Sequence, residues 1–260
     1  MTTIALTHLP SPKMEDAIRT FAAHERIDLE RVRAQHAAYR ETLAKAGAEV
    51  VVLDTNLEHP DCVFIEDVAI VLDEVAILTP MGAPSRVAEP AGIEPTLREY
   101  REVARIEAPA TIEGGDVIVV GKQILVGQTD RTNARGIEEL ARITKRFGYA
   151  VRGVPVHGCL HLKTACTALP DGALVANPAW LDLDALRTFD VVHVAEGEPH
   201  AANVVIVGAR GITGAGNPRT AEAIRTHCLG LDILDLSELA KADGCGTCLS
   251  LLFSSPAASS

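Results

Sequence analysis

Cys245-Gly246-Thr247-Cys248 sets two thiols three residues apart near the end of the chain. Such a pair can be a redox couple, half of a zinc site, or the setting of one nucleophilic thiol. A structural zinc site needs a second pair of this kind, and the chain has none. Cys248 follows a glycine-rich turn and enters an apolar stretch, an element edge where a thiolate can face a pocket. A buried structural cysteine is the plain alternative. A nucleophilic cysteine works with a histidine. Of nine histidines, His161 stands at the mouth of an expected strand and His157 lies just before it. His24, His36 and His227 fall on expected helices or among surface residues.

Carboxylates form two further groups. Asp61-Cys62-Val63-Phe64-Ile65-Glu66-Asp67 places acids at both ends of an apolar stretch, and Glu113-Gly114-Gly115-Asp116 places two around a glycine pair. Gly-Gly lets the backbone approach another group closely. Taken singly, each acid reads as a solvated turn residue.

The elements that carry these groups recur with a loose period. The pattern predicts a strand at Thr3–His8, a helix over Ile27–Ala46 with Leu29, Val32, His36, Tyr39 and Leu43 at helical spacing, and a strand at Glu49–Leu53. Next come strands at Cys62–Ile65, Val68–Leu72 and Val75–Leu78 and a helix over Leu97–Arg105. The third block is a hairpin of Val117–Val120 and Gln123–Val126, a helix over Asn133–Phe147 and a strand at Tyr149–Val151. The fourth has Leu162–Ala168 and Ala173–Ala176, a short helix near Leu183–Thr188 and Val191–Val194. The fifth has Val204–Val207, a helix after Asn217-Pro218 and Ile233–Leu236. Cys248–Phe253 closes against the first strand, and Ser254–Ser260 reads as a tail. Five units of hairpin, helix and strand predict one closed α/β domain over residues 1–253 rather than an open doubly wound sheet. In that arrangement the two acidic stretches, His161 and Cys248 open to the same end of the fold.

Composition limits the chemistry. The 260 residues carry 24 Lys and Arg against 35 Asp and Glu, a formal charge of −11, with 47% hydrophobic residues. That excludes a disordered chain and argues against a nucleic-acid partner; it mildly favours a small cationic substrate. No apolar run approaches the ~20 residues of a membrane span, and the N-terminus has no signal-peptide pattern, so a cytoplasmic protein with six free thiols is expected.

Together these stretches resemble the dimethylarginine dimethylaminohydrolase family of the guanidino-group-modifying, or pentein, superfamily. The matching segments are Pro60–Asp67, Gly82-Ala83-Pro84-Ser85-Arg86, Glu113–Val117, Arg131–Gly136, His161-Leu162-Lys163 and Asp243–Ser250, in the family's order. The resemblance implies a five-bladed α/β-propeller. It implies Cys248 as nucleophile, His161 as general acid and base, and Glu113 as the carboxylate that orients the histidine. Asp61, Glu66 and Asp67 would hold the guanidinium, with Phe64 lining the pocket. Arg86 and Arg131 would bind the substrate's α-carboxylate, and the carbonyls of Leu9 and Ala242 its α-amino group. No metal or organic cofactor is implied, and the partners are a methylated arginine and, for assembly, a homodimer.

The chain departs from the family pattern at Val87, where a second arginine is frequent, and at Leu249, where some members have a second cysteine. Lys163 stands where arginine deiminases of the same superfamily carry an aspartate that grips unsubstituted guanidine nitrogens. A methylated nitrogen cannot make those bonds, so Lys163 favours an alkylated substrate. Three readings follow: a dimethylarginine hydrolase, an arginine deiminase or hydrolase of another guanidine, and a non-catalytic or metal-binding module built on Cys245 and Cys248.

Overall fold

The computed structural model describes residues 2–255. In chain order, β1 (Thr2–His8), α1 (Leu29–Lys45) and β2 (Ala48–Leu53) come first, followed by β3 (Ala69–Val71), β4 (Val75–Leu78), α2 (Glu89–Tyr100) and β5 (Glu102–Arg105). The middle of the chain forms β6 (Val117–Val120), β7 (Gln123–Gln128), α3 (Ala134–Thr144), β8 (Ala150–Pro155), α4 (Leu162–Ala165), β9 (Cys166–Ala168), β10 (Leu174–Ala176) and β11 (Val191–His193). The last part holds β12 (Val204–Val207), β13 (Arg210–Gly214), α5 (Pro218–Ile224), β14 (Gly230–Leu234), α6 (Ser237–Ala240) and β15 (Leu251–Ser255).

The strands make five three-stranded sheets: β3-β4-β5, β6-β7-β8, β9-β10-β11, β12-β13-β14 and β15-β1-β2. Each pairs its first two strands antiparallel and its last two parallel. The sheet that starts the chain takes its antiparallel strand from the far end, with Leu6 opposite Leu251 and Thr2 opposite Ser255. Five apolar clusters join the sheets in sequence. One packs Ile4 and Leu6 with Ala76 and Leu78, the next Ile77 with Ile124, the next Leu125 with Leu174, the next Val175 with Val204. The fifth packs Val205 with Ala5 and so returns to the first sheet.

Local chemistry sets the helices. Asp28 caps α1 by accepting from the Glu30 and Arg31 N–H groups, and Val32, His36, Tyr39 and Leu43 form its buried face. Asn133 caps α3 through the Gly136 N–H.

Several expected elements are corrected. The stretch Cys62–Ile65 is not a strand. Its amides bond three residues back, Cys62 to His59 and Phe64 to Asp61, and a 3-10 turn follows at Ile65–Val68. The helix expected over Leu97–Arg105 starts earlier, with Pro90 in its first turn; Glu102–Arg105 becomes β5, the parallel neighbour of the fully buried β4. Leu162–Ala168 begins as a helical turn because Asp116 from another unit accepts the Leu162 N–H. The strand expected at Ile233–Leu236 is β14, ending at Leu234. Cys248 sits on a 3-10 turn, Thr247–Leu249, before β15 rather than at the head of a strand. Ser254 and Ser255 belong to β15, and the rest of the expected tail lies outside the described residues.

Phe253 of β15 marks the seam between the first two sheets: it is 6% exposed, meets Tyr100 edge-on at 5.2 Å and lies 5.6 Å below the Arg101 guanidinium. Phe253→Ala is expected to cost about 3–5 kcal/mol in urea unfolding. A loss below about 1 kcal/mol would mean that the closing strand contributes little packing there.

Candidate active site

His161 lies immediately before α4 in extended conformation, which turns its ring inward. Nε2 donates to Glu113 Oε2 at 2.8 Å, and Nδ1 stands 3.9 Å from Asp67 Oδ1. The glycine pair explains how three units come this close. A Cβ on Gly115 would lie 2.7 Å from His161 Nδ1 and 2.8 Å from Asp67 Oδ1, and one on Gly114 would lie 2.0 Å from the Glu66 carbonyl oxygen. Only glycine fits either place.

Burial opposes charge on the His161 ring, but Asp67, the Glu113 hydrogen bond and Asp116 outweigh it and push the pKa up to about 9. Burial likewise opposes the Glu113 carboxylate, yet His161, Arg86 and Arg131 hold it down to about 2. At neutral pH the pair is an imidazolium and a carboxylate.

The cavity beside this pair is lined by Asp61, Phe64, Asp67, Arg86, Glu113, Arg131, His161, Ala242 and Cys248. Nine of the eleven residues singled out in the sequence therefore meet there. Arg86 is nearly saturated: Nε and Nη2 donate to Glu89, Nη1 to Asp67 at 2.7 Å, and Nη2 also to the Phe64 carbonyl. Arg131 is held more loosely, 3.4 Å from Glu113 and 3.5 Å from Thr20, and so has donors to offer a ligand. Burial raises the Asp61 carboxyl, with Arg86 opposing, while Asp61 Oδ1 accepts the Ile18 N–H.

The structure places Leu9 and Glu66 apart from this cavity. The Leu9 carbonyl bonds the His8 ring and the Cys62 thiol, and its side chain lines a different cavity with Arg33 and His36. Ile18, nine residues on, lines the reaction cavity instead; nothing in its type or spacing marks it in the sequence. Glu66 points away from the reaction cavity. Oε1 accepts from Lys163 Nζ at 2.6 Å and Oε2 from Thr247 Oγ1 at 2.8 Å. Lys163 Nζ also donates to the Gly114 carbonyl, and Asn203 Nδ2 donates to the Lys163 carbonyl and to Thr247 Oγ1. Asn203 Oδ1 accepts the Thr247 N–H at 3.1 Å.

Another cavity of about 460 Å³ lies beyond the Glu66–Lys163 pair, walled by strand residues such as Val117, Ile206 and Leu252. It is the roomier of the two, but neither Cys248 nor His161 lines it; both line the smaller one. The smaller cavity has only about 20 Å³ free, the room of one water molecule. The Ile18–Ala22 segment closes it: Asp243 accepts the N–H groups of Thr20 at 2.5 Å, Phe21 at 3.0 Å and Ala22 at 2.6 Å. Asp243 holds this position at φ +58, an unfavourable backbone region for any side chain but best tolerated by Asp and Asn. A ligand of amino-acid size requires this segment to move.

The Cys248 sulfur accepts the Cys245 N–H at 3.5 Å. Its shared hydrogen bond with the Cys245 side chain and its burial push its thiol well up, with Glu66 and Asp67 adding to the effect. Asp67, Glu113 and His161 bring ligand atoms within 4.8 Å of one another, a spacing that a metal ion can use. Those atoms are already engaged by Arg86, Arg131 and each other.

Residues 11–165 match the family model described as N,N dimethylarginine dimethylhydrolase, eukaryotic. The chain is 37% identical to an N(G),N(G)-dimethylarginine dimethylaminohydrolase of Streptomyces coelicolor over 95% of both chains. It is 35% identical to the enzyme of that name from Pseudomonas aeruginosa over 84% of this chain and 87% of the other. The Pseudomonas aeruginosa protein, solved as a cysteine-to-serine mutant with citrulline, superposes with a TM-score of 0.92 at 32% identity, covering 97% of this chain and all of that one. The N-terminal domain of ArgZ, an arginine dihydrolase from cyanobacteria, shares the fold with a TM-score of 0.85 at 21% identity, covering 98% of this chain and 99% of that one. The five small sheets and these neighbours define an α/β protein of the pentein fold. Within it, the chain belongs to the dimethylarginine dimethylaminohydrolase family.

Two outcomes are expected from the site's electrostatics. In a histidine-ring NMR titration, His161 should lose its proton near pH 9, and Glu113→Gln should lower that midpoint by roughly 1–3 pH units. Because the folded pKa exceeds the ordinary value of about 6.5, the stability His161 contributes is complete below that pH and is lost as pH rises through about 9. Lys163→Met leaves the buried Glu66 carboxylate unpaired and should destabilise the protein by about 3–5 kcal/mol. Lys163→Met with Glu66→Gln should recover part of that loss, and a simple sum of the two single effects would show that the residues do not interact.

Proposed function

We propose that the protein hydrolyses Nω,Nω-dimethyl-L-arginine, and Nω-methyl-L-arginine, to L-citrulline and dimethylamine or methylamine. The observation that carries this reading is the His161–Glu113 pair at 2.8 Å, facing the cavity that Cys248 shares with Asp61 and Asp67. Family membership supports it, and so does the citrulline-bound Pseudomonas aeruginosa structure.

The carboxylates suit a planar cation with several donors. Bound beside Cys248, that cation offsets the raised thiol and favours the thiolate. Sulfur adds to the guanidinium carbon and forms a C–S bond. The C–N bond to the alkylated nitrogen breaks as the His161 imidazolium supplies that nitrogen's proton. A covalent thiouronium remains. Neutral His161 then takes a proton from water, the hydroxyl adds to the carbon, the C–S bond breaks and the ureido product forms with Cys248 restored as thiolate. Glu113 holds the ring's far nitrogen throughout, and Arg131 receives the α-carboxylate, while Arg86, engaged by Glu89, Asp67 and the Phe64 carbonyl, fixes the acids around it. Ala242, at the rim with Ile18, offers a carbonyl for the α-amino group.

Substrate choice rests on position 163. Lys163 is turned toward Glu66 and the Gly114 carbonyl and presents no carboxylate to the cavity. The site therefore gives up one anchor for plain arginine, about 10- to 100-fold in kcat/KM, and pays nothing for a methyl group. Residues 1–253 act as one catalytic domain, a five-bladed α/β-propeller; the pairing of β15 with β1 and the returning order of the apolar clusters support it. A cytoplasmic location fits six unpaired thiols, and no helix is long and apolar enough to cross a membrane.

In one reaction with equal arginine and asymmetric dimethylarginine, dimethylamine should exceed ammonia. Ammonia in excess would move the protein to the deiminase reading. Cys248→Ser should abolish turnover, and His161→Gly should slow it by ~10²–10⁴. Acid-quenched enzyme should carry its added mass on the peptide containing Cys248; an unmodified peptide in an active enzyme would reject the covalent route.

A further inference from the structure

Cys245 takes no part in this chemistry, yet its position is specific. The turn from Cys245 to Cys248 bends through Gly246 in helical conformation (φ −59°, ψ −44°), and the Leu249 N–H closes it on the Gly246 carbonyl. This brings the Cys245 N–H to 3.5 Å from the Cys248 sulfur, with the two thiols on one turn. We propose that Cys245 is a resolving thiol: when a peroxide oxidises Cys248, the two residues form a reversible disulfide that shuts the enzyme off and protects its nucleophile.

The other thiols are poor candidates. Burial pushes Cys62, Cys159 and Cys166 up to about 12 and raises Cys228 as well. The Cys245 thiol is instead lowered by its hydrogen bond to Cys248, against burial. Cys248 borders the reaction cavity, so an oxidant as small as hydrogen peroxide reaches its sulfur by the route the substrate uses.

The Cys248 thiolate attacks peroxide, the O–O bond breaks, an S–O bond forms, and hydroxide leaves. The Cys245 thiolate then attacks the Cys248 sulfur, the S–S bond forms, and the S–O bond breaks with loss of hydroxide. The protons from the two thiols convert both hydroxides to water, and a dithiol reverses the bond.

The test uses the full chain. No Lys or Arg follows Lys241, so trypsin releases both cysteines in one peptide beginning at Ala242. After brief treatment with hydrogen peroxide, that peptide should be two hydrogens lighter, turnover should be lost, and dithiothreitol should restore both. Cys245→Ser should keep basal activity, since residue 245 does not line the reaction cavity and its backbone N–H to the Cys248 sulfur is retained, with serine keeping a hydroxyl beside the thiol. The same peroxide dose should then drive Cys248 to the sulfinic acid, two oxygens heavier, with loss that dithiothreitol does not reverse. Sulfinic Cys248 in the parent protein with Cys245 still free to alkylate would overturn the resolving role, as would equal recovery of parent and variant. The activity loss rests on Cys248 being the nucleophile, whereas the mass change does not. A disulfide that leaves turnover intact would uphold the pairing and reject that assignment.

Discussion

A carboxylate removed from water has to be paired, and Glu66 solves this with partners from distant parts of the chain. It accepts from Lys163 and Thr247, and Lys163 in turn reaches the Gly114 carbonyl while Asn203 bridges Lys163 and Thr247. These five residues come from five successive stretches of the sequence. Four of them adjoin or nearly adjoin a residue of the reaction cavity: Asp67 follows Glu66, Glu113 precedes Gly114, His161 lies two before Lys163, and Cys248 follows Thr247. Loss of one partner would strand a buried charge, so the network resists relative movement of the backbones that carry the reacting groups.

The charges of the cavity above are arranged in opposition. Asp61, Asp67 and Glu113 face Arg86, Arg131 and a His161 held protonated. Arg86 is spent on Glu89, Asp67 and the Phe64 carbonyl, so it fixes the acids rather than cancelling them for a ligand. In this setting a free thiol is held protonated, and a planar cation changes the balance in favour of thiolate.

Closure depends on Asp243. Its left-handed backbone is the strained element of the rim, and its carboxylate spends its acceptors on three consecutive amides of the Ile18–Ala22 segment. These bonds are made at a partly exposed edge, where water competes for the same donors. The segment is therefore held at a solvent-facing edge, in contrast to the buried network below.

Periodicity in the chain determined much of this architecture. Continuous apolar strands such as Val75–Leu78 and Val204–Val207, and capped helices such as that beginning after Asp28, are local facts of residue type, and their recurrence announced five similar units. Asp61, Asp67, Glu113, His161 and Cys248 were legible as candidates, because carboxylate, imidazole and thiol chemistry narrows the choice of residues, whereas Arg131 was marked only by the family resemblance. Tertiary structure decided what depends on a distant partner. Leu162 begins a helix because Asp116 caps it, Glu66 faces Lys163 and Thr247 rather than the ligand cavity, and Ile18 rather than Leu9 reaches the rim because Asp61 holds its amide. No window of sequence contains both members of these pairs: the hydrogen bonds join residues tens of positions apart, and only the packing of the five sheets brings them within reach.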